Sequence, residues 1–332
     1  MARAIPVGLI GAGKHGARYL RHIAEDVPEL RITLLCRRNE AEGREQAHTA
    51  GARFVGDWRE LAVSREIGAV IAVVPPTLHE EISRVAAGAG KAILLEKPLA
   101  PTVAAGVRIR EAVDRAGVPA MIAHTLRYNA VVGLLRDRLP AIGAVVQVVL
   151  SQRFEPSRLE WLDDPAISGG GMILHTGVHG FDLVRVFAGA LPDRAAAVAA
   201  RAVTRGTEDD FSAVFGWDGR PLTASVSGCR ATASRSLTIE IAGEKGQLVG
   251  DLHHGSAAFL EGTTRVDLGR IADVPTVREA LRGFAAALRD GTAMPIPLAD
   301  GLGAVAMAQA CYRSLASGRA EAVRGGQPDG RQ

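Results

Sequence analysis

An α/β domain with a parallel sheet, followed by an α+β domain with a large, mostly antiparallel open sheet, is the fold class this sequence predicts. Three observations predict it. Short, near-continuously apolar runs alternate with helix-length segments over residues 1–124, the pattern of strands covered on both faces by crossover helices. A Gly-rich junction, Gly11-Ala-Gly13-Lys-His-Gly16, directly follows the first apolar run. From Arg194 to Leu268 strand patterns succeed one another through turns such as Trp217-Asp-Gly-Arg220 and Gly243-Glu-Lys-Gly246, as antiparallel sheets do.

Taken in order, Ile5–Ile10 reads as the first strand and Lys14 to Glu25 as the helix it feeds. A strand over Arg31–Cys36, a polar helix near Glu40–Ala50 and a short strand at Arg53–Val55 follow. The apolar run Ala69–Val74 is stopped by Pro75-Pro76, and a helix over Leu78–Ala89 leads to the strand Ala92–Leu95. A helix over Thr102–Ala116 and a strand over Ala120–Ala123 complete the alternation. Then the rhythm changes: residues 143–154 read as one long strand, and a Gly-rich turn precedes an apolar helical stretch over Gly171–Phe187. Helices return at Thr276–Asp290 and Leu298–Ser317.

At about 150 residues per domain, a chain of this length predicts two domains. We place them at residues 1–124 and 125–317, with the last helix able to pack back on the first. The Gly-, Arg- and Gln-rich residues 318–332 are expected to form a flexible tail.

Apolar residues make up 47% of the chain and charged residues 23%, as in a globular protein with a substantial core. No stretch gives about 18 consecutive apolar residues, so no membrane span is expected. The N-terminal stretch lacks the length and cleavage site of a signal peptide. Cys36, Cys229 and Cys311 stand far apart, without metal-ligand spacing, which fits a reducing cytoplasm and neither a disulfide framework nor a zinc ribbon. The net charge is +3, yet the arginines are dispersed among acids. That pattern points away from nucleic acid and toward an anionic small ligand. Only Lys14, Lys91, Lys97 and Lys245 of the 39 basic side chains are lysines. Each is worth checking, because a lysine can release a proton where an arginine cannot.

Gly11, Gly13 and Gly16 form G-x-G-x-x-G between a strand and a helix, with Lys14 and His15 inside it. This placement fits a dinucleotide pyrophosphate, approached by the glycine backbone and held at the helix N-terminus, in a Rossmann nucleotide-binding domain. NAD wants an acid about 20 residues on, for the ribose 2′-hydroxyl, whereas a 2′-phosphate wants arginine. The second strand ends in Cys36-Arg37-Arg38-Asn39, with no acid before Glu40. NADP(H) is therefore favoured over NAD(H); arginines that simply solvate a helix start are the competing reading. Pro75, Pro76 and His79 sit at the carboxyl end of the fourth strand, where ligands bind such sheets; an ordinary loop is the competing reading. Glu96-Lys97-Pro98 ends the fifth strand on the same edge. Lys97 there can stabilise negative charge on a reacting oxygen, with Glu96 to orient it.

With GAGKHG, VVPPTLHEE, ILLEKPLA, HTLRYNA, SGGGMILHTGVHGFD, IAGEKGQL and PLADGLGAVAMAQACYRSL in view, the chain resembles the glucose–fructose oxidoreductase/inositol dehydrogenase/rhizopine-catabolism (Gfo/Idh/MocA) family over nearly its whole length. The resemblance implies a nucleotide domain plus a sheet-rich substrate domain whose open face forms homodimers or homotetramers. It also implies an NAD(P)-dependent oxidoreductase acting on sugars, inositols or related polyols and their keto forms. By the same resemblance Lys97 is the catalytic lysine, His179 the catalytic histidine, and Arg127 lies near the substrate. Nucleotide-retaining glycosidases and non-catalytic sugar or nucleotide sensors also occur in the family and stand as alternatives.

One departure matters. Four residues before the histidine the family carries aspartate, and this chain has His175. On a regular helix His175, His179 and Asp182 would share one face, which makes His175 and Asp182 candidates for the substrate wall and His175 for the chemistry. An imidazole supplies no carboxylate charge to hold the tautomer of His179. The spacing of His175 and His179 also suits a metal ligand pair, but the Glu of H-E-x-x-H is missing, and no metal is expected. Trp161 lies close enough in sequence to the triple glycine to brush the substrate; simple packing is the competing reading.

Overall fold

A computed structural model describes residues 4–325. The described residues divide into two compact units, one of residues 4–100, 104–125 and 275–301, the other of residues 101–103, 126–274 and 302–325.

The first unit holds six parallel strands: β1 (Ile5–Ile10), β2 (Leu30–Cys36), β3 (Arg53–Phe54), β4 (Ala69–Ala72), β5 (Ala92–Glu96) and β6 (Ala120–Ala123). Their order is β3-β2-β1-β4-β5-β6, the doubly wound arrangement whose strand order reverses between β1 and β4. Every residue of β4 and β5 is buried. That burial is why these strands read as unbroken apolar runs. Prolines 75 and 76 end the fourth run: Pro76 opens a 3₁₀ turn, Pro76–Leu78, that feeds the helix His79–Gly88. The sequence pattern misses the short helix Trp58–Val63, which Asp57 caps through the Arg59 N–H. Late in the chain, the helix Thr276–Asp290 packs on the helix Gly16–Glu25, and the Ile122 N–H donates to the Ile296 carbonyl at 3.1 Å.

The second unit is built on nine strands: β7 (Val145–Arg153), β8 (Arg194–Ala200), β9 (Asp210–Gly216), β10 (Thr223–Cys229), β11 (Ser236–Gly243), β12 (Gly246–Asp251), β13 (Ser256–Glu261), β14 (Thr264–Arg270) and β15 (Glu321–Ala322). Their order is β14-β13-β12-β11-β7-β10-β9-β8-β15. All pairings are antiparallel except β7 with β10, where Leu150 stands opposite Val226. Alternation is clear in β9, whose Phe211, Ala213 and Phe215 are buried while Val214 is 55% exposed. The buried face packs under the helix Val178–Ala188, whose Phe181 meets Phe211 and Phe215 edge-on. On the other face of the sheet lies Val214, and Val198 of β8 is 69% exposed. Of the segment expected to be a flexible tail, Glu321–Ala322 pairs with β8; residues 326–332 lie outside the described residues. Among the described residues no helix is long and apolar enough to cross a membrane.

Phe181 is fully buried and fastens the helix that carries His179 to the sheet. Replacing it with Ala should cost about 3–5 kcal/mol, read as a lower urea midpoint with an unchanged slope.

Candidate active site

Backbone geometry makes the first glycine turn specific. Gly11 has φ +90°, and a Cβ there would overlap the Val73 carbonyl oxygen. A Cβ on Gly16 would overlap the Gly11 carbonyl oxygen, so the helix starts hard against the turn. Gly13 meets nothing within 4 Å and, like Lys14 and His15, is exposed. No side chain caps the helix Gly16–Glu25, and its first turn holds no acid. An uncapped N-terminus with open backbone beside it suits a pyrophosphate, and the residues present fit a dinucleotide there.

Glu96 ties this turn to β5. It is 5% exposed. One carboxylate oxygen lies 2.6 Å from His15 Nε2 and accepts from the Tyr19 hydroxyl at 2.6 Å; the other accepts from the Lys97 N–H at 2.8 Å. Burial pushes the carboxyl up. The His15 charge and hydrogen bond, Lys97 and Tyr19 together outweigh burial and bring it down to about 2. Tyr19 is itself fully buried and held far above its ordinary pKa by burial and by the Glu96 charge. The sequence reading missed Tyr19, since a tyrosine three residues into a helix looks like packing. The Lys97–Pro98 peptide is cis.

His79, expected beside the coenzyme, is completely buried. Its Nδ1 donates to the Leu99 carbonyl at 3.1 Å, and burial pulls its pKa down against the pull of that carbonyl and of Glu96. It is a neutral strut between the segments after β4 and β5. Pro76 is buried and Pro75 partly so. At the end of β2, Arg37 binds Gln46 at 3.0 Å and pairs with Glu42, whereas Arg38 is exposed and forms no ion pair among the described residues.

In the second unit the triple-glycine segment runs into a π-helical turn, Ile173–Gly177, before the regular helix Val178–Ala188. The π turn overturns the expectation of one continuous α-helix. With His175 inside it, the α-helical spacing that would stack His175, His179 and Asp182 does not hold. His175 Nε2 donates to the Ser168 carbonyl at 2.9 Å, and its ring meets Trp161 edge-on at 5.4 Å. The Asp182 carboxylate receives both arms of Arg127, at 2.7 and 2.5 Å, and lies 3.7 Å from Arg185. His179 is partly buried. A Cβ on Gly171 would overlap the Glu208 carbonyl oxygen, which explains a glycine there. Glu208 accepts from the Ile173 N–H at 3.0 Å and the Tyr312 hydroxyl at 2.8 Å, clamping the entry to the π turn. Burial holds its carboxyl above the usual range despite those donors. Among the described residues no three His, Cys, Asp or Glu side chains gather as a metal site.

A parallel sheet in this order, with an open glycine turn at its first strand–helix junction, defines a Rossmann dinucleotide-binding protein. Residues 5–124 match the model of the Gfo/Idh/MocA oxidoreductase family, NAD-binding Rossmann fold, and residues 140–249 match the Gfo/Idh/MocA C-terminal domain. The chain belongs to this family. It is 31% identical over 205 residues to inositol 2-dehydrogenase 2 of Saccharopolyspora erythraea, covering 54% of this chain and 52% of that one. To levoglucosan dehydrogenase of Pseudarthrobacter phenanthrenivorans it is 30% identical over 202 residues, covering 55% and 51%. The match thus spans about half the length of both relatives. An oxidoreductase domain protein from Kribbella flavida shares the fold with a TM-score of 0.89 at 23% identity, over 97% of this chain and 100% of that one. A levoglucosan dehydrogenase solved with NADH and levoglucosan does so with a TM-score of 0.87 at 23% identity, over 96% and 99%.

Because the Glu96 carboxyl is depressed on folding, its stabilising effect is complete above its ordinary value of 4.5 and is lost as pH falls toward about 2. Glu96→Gln should lower stability by about 1–3 kcal/mol at neutral pH and flatten the acid limb of the melting-temperature profile. An unchanged acid limb would contradict this.

Proposed function

We propose that the chain is an NAD(P)-dependent oxidoreductase that moves a hydride between the nicotinamide and a secondary alcohol or ketone of a sugar, inositol or related polyol. Family membership supports the reaction class, and the dehydrogenase names of the relatives support the substrate class. The observation that carries the reading is Glu96, a buried carboxylate spent on the glycine turn at one end and on the Lys97 backbone at the other.

Bound coenzyme supplies the hydride acceptor or donor. The chain supplies the rest. Gly11, Gly13 and Gly16 offer backbone to the pyrophosphate, with Lys14 beside them. Lys97 presents its ammonium to the reacting oxygen and stabilises charge that develops there. During oxidation the hydroxyl proton passes to His179; during reduction His179 returns it. His175, with its Nε2–H committed to the Ser168 carbonyl, lines the substrate wall with Trp161. Arg127 and Asp182, bonded to each other, brace the helix carrying His179.

The preferred coenzyme in this reading is NADP(H). Arg38 is the available guanidinium for a 2′-phosphate, and Arg37 is already held by Glu42 and Gln46. The open face of the second sheet, with Val198 and Val214 exposed, supports assembly with further copies of the chain.

A polyol and ketosugar panel followed at the reduced-nicotinamide absorbance tests the proposal. Turnover should appear, and Lys97→Ala should cut it about 10²–10⁴-fold; near-normal turnover in that variant would remove Lys97 from the chemistry. Coenzyme retained through purification with no net absorbance change would favour the glycosidase reading. Arg38→Ala should raise the NADP KM about tenfold, the usual worth of one charge-assisted contact, and leave the NAD KM unchanged. Equal use of both coenzymes by the parent chain would overturn the NADP preference.

A further inference from the structure

A cavity of about 410 Å³ opens within the second unit, lined by Gly171, Met172 and His175 together with residues 156–160, 162, 163, 203, 204, 207–209 and Arg230. Arg230 stands out in it. Its Nη2 donates to the Thr176 hydroxyl at 2.7 Å, its buried Nε has no hydrogen-bond partner among the described residues, and no carboxylate among them pairs with it. Burial, with Arg235 second, pulls its pKa below the ordinary arginine value, as expected of a desolvated cation with a like charge nearby and no counter-ion.

The acids of the same wall form no ion pair with it among the described residues; they keep their charge, and their oxygens are turned to other donors. Asp163 accepts the N–H groups of Arg205, Gly206 and Thr207. Asp209 accepts those of Ala202, Val203 and Thr204. Glu208 holds Ile173 and Tyr312. Arg158 and Glu160, also in the lining, are both exposed. Arg230 thus lines, half-buried and without an ion pair among the described residues, a cavity of the size that takes a small ligand.

We infer that the substrate carries an oxyanion group, a carboxylate or a phosphate, and that Arg230 receives it beside His175. A guanidinium suits this task because its charge is permanent and its donors are planar. The inference rests on the proposed oxidoreductase reading and narrows its substrate class from polyols at large to acidic sugars, sugar acids or sugar phosphates.

The test uses the whole coenzyme-loaded protein and matched probes: D-gluconate, D-glucuronate and D-glucose 6-phosphate against D-glucose and myo-inositol. Calorimetric binding and turnover are read separately. At least one anionic probe should bind ten or more times tighter than the neutral ones. The carboxylates and the phosphate, read apart, decide which oxyanion is meant. Arg230→Gln should weaken that binding about 10–100-fold, the worth of a charged hydrogen-bonded contact, without weakening neutral probes. Arg230→Lys should recover part of the loss. Equal binding of anionic and neutral probes by the parent chain, or of none of them, overturns the inference; so does anion binding that survives Arg230→Gln. Turnover of neutral polyols with no anion preference sinks the inference and keeps the oxidoreductase. Anion binding lost in Arg230→Gln, with no coenzyme reduction by any probe, keeps the Arg230 site and sinks the oxidoreductase.

Discussion

A buried carboxylate in a parallel sheet is unfavourable unless its lone pairs are filled, and the first unit is arranged around filling those of Glu96. Three donors from two segments far apart in sequence do so: an imidazole in the glycine turn, a phenol one turn into the following helix, and the backbone N–H of the next residue. Each contact is ordinary alone. Together they fix the distance between the phosphate turn after β1 and the lysine after β5. The strands themselves determine only that both segments leave the same sheet edge; β1 and β5 do not pair, since β4 lies between them. On the proposed reading, pyrophosphate binding and lysine placement thus depend on the same carboxylate.

The second unit solves a different problem, that of presenting a wider helical turn without leaving its ends loose. A π turn is usually less favourable than an α turn and persists where surrounding contacts hold it. Here the Glu208 carboxylate fixes its start through Ile173, and Tyr312 holds both Glu208 and the Gly171 N–H. Arg230 reaches Thr176 from the end of β10, and Phe181 anchors the next turn against two phenylalanines of the sheet. The close approach of Glu208 excludes any side chain at Gly171. Glycine there follows from packing as much as from chain flexibility.

Much of the architecture was legible because burial on both faces writes itself into sequence as unbroken apolar runs, as in β4 and β5, and burial on one face as alternation, as in β9. The glycine turn was legible because backbone overlap leaves few alternatives at Gly11 and Gly16. The six-residue helix at Trp58 was not, being too short to show a period. Nor was the π turn, because its one extra residue leaves the apolar pattern of Met172 to Phe187 intact. His79 misled for a physical reason: a histidine at the carboxyl edge of a strand looks ready for a ligand, and only the fold reveals that the Leu99 carbonyl has claimed it. Arg230 was hidden by composition. Where 35 of the 39 basic residues are arginine, one desolvated guanidinium cannot be told from the solvated ones by sequence.

The scarcity of lysine is a weaker guide than it looks, and the reason separates two uses of positive charge. Lys91 is buried with its ammonium on the Ile67 carbonyl and a pKa lowered by burial. Lys245 lies in the turn joining β11 and β12, its backbone N–H on Ile142. Neither stands in a catalytic setting, so rarity alone does not single out a catalytic residue. Position at the strand edge distinguishes Lys97. On the proposed reading the reacting oxygen gains and loses charge during each turnover, which favours a compact ammonium able to reorient its donors and share a proton. A substrate oxyanion keeps its charge throughout, which favours a rigid guanidinium that never titrates. Lysine at 97 and arginine at 230 are then not interchangeable. Exchanging their side-chain types would preserve net charge while removing what each position requires.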